Sequence, residues 1–130
     1  MSSFVTHSSD PTTSAKQDPK RGINLVENLK ALARRSGLTL FQLQHTQLLP
    51  IVQGGMGVGV SASRLAGTTA RFGAMGTISS VDLRRLHADL WQQTQHLEKS
   101  PNARALIDKA NLVALDREIK KAKSIANGNG

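Results

Sequence analysis

The chain has 130 residues, a formal net charge of +8, no cysteine and only 3% aromatic residues. That length suits one small domain, whose core must come from Leu, Ile, Val and Ala. The lack of cysteine excludes a disulfide framework and a thiolate metal site, and a charge dispersed along the chain without aromatic platforms argues against a nucleic-acid partner.

Residues 1–22, "MSSFVTHSSDPTTSAKQDPKRG", are rich in Ser, Thr, Pro and charge and read as a disordered tail. They contain no apolar h-region. No stretch of the chain reaches the roughly 20 apolar residues of a membrane span, so the expectation is a soluble, cytoplasmic protein with no membrane partner. The domain is then 23–130. "INLVENLKALARRSG" predicts a helix with Leu25, Leu29, Leu32 and Ala33 on one face and Gly37 as its stop. Residues 38–46 read as a loop or a short helix.

"LLPIVQ" (48–53) reads as a buried strand, with Pro50 near its start. Ser61 is placed to cap a helix running to about Phe72, with Leu65, Ala66, Thr69 and Ala70 toward the sheet and Gly73 ending it. "AMGTIS" (74–79) reads as a second strand. Strand, glycine loop, helix and strand make a βαβ unit with parallel strands. Residues 82–98 are helix-prone, with Trp91 as an apolar anchor and Arg84 and Arg85 on a solvated face. After the break at "SPN", Ala103–Ala110 predicts a short helix. Asn111 then caps a second one, whose Leu112, Leu115, Ile119, Ala122 and Ala126 form the core face. The fold class is α/β. Two parallel strands cannot build a sheet covered on both faces, so the chain reads as the beginning of a larger fold or as a piece that assembles with another copy.

The loop "QGGMGVGVS" carries more glycine than a tight turn needs. The further reason for so bare a backbone is close approach of a flat or phosphorylated ligand. Two ligand readings compete. Gly57-Val58-Gly59-Val60-Ser61-Ala62 satisfies G-x-G-x-x-A, the dinucleotide fingerprint. That fingerprint also wants an acid at the end of the second strand, and Asp82 comes several residues late. The other reading is a flavin site on a (β/α)8 barrel. There the first loop belongs to the C-terminal face, and Thr77 and Ser79 point into the same rim.

The run "LPIVQGGMGVGVSASRLAGTTARFGAMGTISS" (49–80) resembles the amino-terminal βαβ of the nitronate monooxygenase family, formerly 2-nitropropane dioxygenases. The resemblance implies the start of an FMN-binding TIM barrel, with FMN contacts at Gly54, Gly55, Met56, Gly57, Thr77 and Ser79. It implies an oxidoreductase that oxidises alkyl nitronates with O2 through the flavin, so a nitronate or related small molecule is the implied substrate. It carries no catalytic residue into this chain. None of His7, His45, His87 and His96 stands in a matching context, and a whole barrel needs about 250 residues. The expectation is therefore an amino-terminal piece that is inactive alone and binds FMN weakly or not at all. The alternatives are a non-catalytic truncated product and a Rossmann-type NAD-binding module. No metal-ligand spacing appears, and oligomeric state is not readable.

Overall fold

The computed structural model describes residues 19–97 and 102–129. Residues 1–18 of the expected tail lie outside the described residues. Its last residues, from Pro19, are already helical. Proline is well placed at a helix start, where its missing N–H would have no intrahelical partner.

Helix α1 spans Pro19–Arg35. Its stop at Gly37 (φ 74°) is the one anticipated: Leu38 N–H donates to Ala33 O at 3.0 Å and Gly37 N–H to Arg34 O at 3.1 Å, a Schellman closure that needs the left-handed conformation. The expected face of α1 holds at Ala33, which is buried, and at Leu29, which packs against the same cluster, whereas Leu25 and Leu32 are exposed and Val26 is buried in their place.

Residues expected as loop or helix instead form a β-hairpin, β1 (Phe41–Leu43) and β2 (Thr46–Leu48), paired antiparallel with Phe41 opposite Leu48. These are the two strands among the described residues, and they are antiparallel, not parallel as expected. Apart from Leu48, the last residue of β2, the segments 48–53 and 74–79 form no strand. They meet in one parallel bridge, Val52 to Met75, with Met75 N–H on Ile51 O at 3.0 Å and Gln53 N–H on Met75 O at 2.9 Å. Nor is 48–53 buried throughout: Leu48 and Leu49 are, but Ile51 and Val52 are more than half exposed. Pro50 supplies no N–H, and the glycines that follow offer no side chains to pack, so the ladder stays this short.

Helix α2 is Ser63–Arg71, closed by Gly73 at φ 79°. A 3-10 turn, Leu83–Leu86, leads into α3 (Ala88–Thr94), so the helix-prone 82–98 segment is broken at His87. Helix α4 runs unbroken from Ala103 to Ala126. The expected break at Asn111 is absent because its side chain serves a tertiary contact: Oδ1 accepts the Arg84 N–H at 3.1 Å. Buried on α4 are Ala103, Ala110, Ala114, Glu118 and Ala126; of the expected face Ala126 is buried and Leu115 packs against the core, while Leu112 and Ile119 stay exposed. Alanines let α4 approach α2 closely, and a Cβ on Gly67 would stand 2.7 Å from Ala122 O.

Among the described residues the core forms two small clusters. Leu83, Leu90, Ala110 and Ala114 join the 3-10 turn, α3 and α4; Ala33, Leu49 and Ala74 join α1 to the Val52–Met75 pairing. Full burial of a leucine such as Leu83 stabilises by about 2 kcal/mol. The fold is thus mixed α/β, with four α-helices and a two-stranded antiparallel sheet among the described residues. No described helix is long and apolar enough to cross a membrane.

Candidate functional site: the glycine loop and its rim

The glycine loop is ordered by two polar side chains. Ser61, fully buried, does not cap α2; Ala62 holds the N-cap position with no side-chain bond. The Ser61 hydroxyl instead accepts from Met56 N–H at 2.9 Å and Gln53 Nε2 at 2.8 Å, and donates to Gly54 O at 3.0 Å. One donor and two lone pairs are all a hydroxyl has, so Ser61 is saturated. Gln53 also donates to Gly54 O, and its Oε1 accepts Thr77 N–H at 3.1 Å. Ser61 O then takes Ser79 N–H at 2.9 Å. Strand end, loop and second rim are therefore tied together.

The expected site residues do come together. A Cβ on Gly55 would lie 3.5 Å from Thr77 Cγ2 and 3.9 Å from Ser79 Cβ, and one on Gly57 would lie 3.4 Å from Ser79 Oγ. Gly54 faces open space, and Met56 is half exposed beside it. Among the described residues, the N–H groups of Gly54, Gly55 and Gly57 have no hydrogen-bond partner. The loop thus offers side-chain-free backbone, free donors and one apolar side chain. That combination suits a flat ring bearing carbonyl acceptors.

Gln53 and Ser61 were missed as organisers. Both flank the glycines, and polar residues at the two ends of a bare loop were the signal available, but Ser61 before a helix reads more simply as a cap.

The start of α2 is served from elsewhere. Glu118 Oε2, from α4, accepts Ser63 N–H at 2.7 Å, and Oε1 lies 3.3 Å from His87 Nε2. Burial pushes this carboxyl up, but hydrogen bonds from Ser63 and the charges of His87 and Lys121 outweigh it and hold it below its ordinary value. A cavity of about 420 Å³ opens here, lined by Val60, Arg64, Leu65, Leu86 and Lys121 with Glu118. The carboxylate occupies the helix N-terminus where a dinucleotide pyrophosphate would need to sit. Asp82, the late acid of the fingerprint, is committed to Arg84 at 2.7 Å and to Arg85.

Arg84 is not on a solvated face. It is buried, its Nη1 donating to Thr94 Oγ1 at 2.8 Å. Arg84 and Arg85 stand 5.0 and 4.8 Å from the Trp91 ring centroid, so Trp91 anchors the 3-10 turn to α3 through cation–π contacts. His45 lies in the hairpin turn and His96 at the end of α3, neither on the glycine rim; His7 lies outside the described residues. No group of three or more His, Asp or Glu suited to a metal ion occurs among the described residues.

Compared with known proteins, the chain matches no family model, no curated protein and no solved structure.

Proposed function

We propose that this chain provides the first flavin-facing rim of an FMN-dependent oxidoreductase of the nitronate monooxygenase type, acting on an alkyl nitronate or a related small molecule. In this reading, 48–79 is the opening unit of a (β/α)8 barrel, begun at the Val52–Met75 bridge. The observation that carries it is the loop itself: three unpartnered glycine amides held beside Thr77 and Ser79 by Gln53 and Ser61. Free N–H groups suit the carbonyl edge of an isoalloxazine, and bare backbone with Met56 suits its face. When bound, FMN supplies the two-electron redox chemistry; these residues orient the ring and shield it from water. The Rossmann alternative is disfavoured by Glu118 at the α2 N-terminus and by the engagement of Asp82.

The test is FMN titration into the purified chain, read by flavin fluorescence. Weak but saturable binding is expected. Gly54→Val, at a position where an added Cβ meets no protein atom within 4 Å, should weaken it on the order of tenfold with little change in Tm. No saturable signal at millimolar FMN, or unchanged binding in Gly54→Val, overturns the reading. Saturable NAD binding that Glu118→Gln strengthens would favour the dinucleotide alternative.

A further inference from the structure

Thr77 and Ser79 approach the glycine loop, while Gly76 and Ile78, alternating with them, line a different concavity. It lies between the hairpin, α2 and α4, has a volume of about 180 Å³, and shares no residue with the 54–61 loop. Its walls include Leu43, Leu48, Ala70, Ile119 and Ala126. Small residues on α2 and α4 create the space. The concavity opens to solvent and its lining is mainly apolar, so an alkyl chain laid in it removes apolar surface from water. Lys123 is the one charged residue in the lining, and its ammonium makes no ion pair among the described residues.

We propose that this cavity binds a short alkyl carboxylate, its tail between the hairpin and α4 and its carboxylate on the Lys123 ammonium. Each half of the ligand answers a feature of the site. The tail covers apolar surface that is open to water, and the anion complements the one cation of the lining on a chain of net charge +8. An alkyl ammonium would meet Lys123 repulsively, and an alcohol would gain no charge pairing. A second copy of the chain would bring another strongly positive surface to the same place. The inference does not depend on the flavin reading, since the two sites use different residues.

The probe is octanoate titrated into the full chain. It is read by methyl NMR shifts of Ile78 and Ile119, both in the cavity wall. Saturable shifts are expected, with 1-octanol binding about two- to fivefold more weakly, the range of one partly exposed ion pair. Lys123→Met should bring octanoate down to the level of octanol and leave octanol unchanged. Ala70→Leu should abolish both by filling the space; if circular dichroism shows that this variant does not fold, the Lys123→Met comparison decides. Three results overturn the proposal: no saturable shift at Ile78 and Ile119, equal octanoate affinity in Lys123→Met, or a sedimenting dimer whose interface accounts for the shifts.

Discussion

Replacing Ser61 with alanine tests whether one hydroxyl organises the glycine loop. The side chain is fully buried and makes three hydrogen bonds, to Met56 N–H, Gln53 Nε2 and Gly54 O. At about 1 kcal/mol net each, the sum is roughly 3 kcal/mol. Two details reduce it. Gly54 O keeps Gln53 as a donor, and Met56 is half exposed, so its amide can find water. The expected loss is about 2 kcal/mol, which lowers Tm by about 8 °C in a chain of this length. Urea unfolding followed by Trp91, the single tryptophan, measures it, since Trp91 sits on α3 and reports the fold as a whole. Ser80→Ala, at an exposed neighbouring position, is the control. A Ser61→Ala loss below about 0.5 kcal/mol, or one equal to the control, refutes the organising role.

Gly67→Ala brings a Cβ to 2.7 Å from Ala122 O and should cost about 1–3 kcal/mol through overpacking of α2 on α4, whereas Gly54→Ala should be close to neutral; paired urea melts compare them. The Glu118 carboxyl lies below its ordinary value in the folded state, so its contribution is present above the unfolded value near 4.5 and is lost as pH falls through the lower folded one. Tm measured from pH 7 to pH 3 should therefore drop at the acid end, and Glu118→Gln should flatten that part of the curve. Arg84→Met removes a buried cation from Asp82, Thr94 and Trp91 together and should cost about 3 kcal/mol, with an altered Trp91 emission maximum in the native state.

Local signals were legible where the physics is local. Gly37 and Gly73 end their helices as read, because the left-handed conformation is a property of the residue itself. The meeting of the glycine loop with Thr77 and Ser79 followed from the order of elements. What failed depends on contacts distant in sequence. Periodicity found α1 and part of each buried face, Ala33 with Leu29 and Ala126 with Leu115, but it divided α4 in two, put Leu25, Leu32, Leu112 and Ile119 inward, and missed Val26, Ala114 and Glu118. Asn111 has the local character of a cap, and only the Arg84 amide explains its place within α4. The hairpin at 41–48 was missed because His45 and Gln44, not Asn-Gly, make its turn. Arg84, adjacent to Arg85 and equally charged, gave no sign of which would be buried.

The Glu118 contact at the start of α2 also bears on the order in which the chain folds. A nine-residue helix is too short to persist alone in water, and α2 has no side-chain cap of its own. Its first amide waits for a carboxylate 55 residues further along the chain. Closing that span costs loop entropy before any contact repays it. Helix α2 should therefore be absent from an isolated 54–80 peptide and appear only after α4 has formed and docked. The glycine loop would then be among the last parts of the molecule to become ordered, and destabilising α4 would slow the loop's acquisition of structure from a distance.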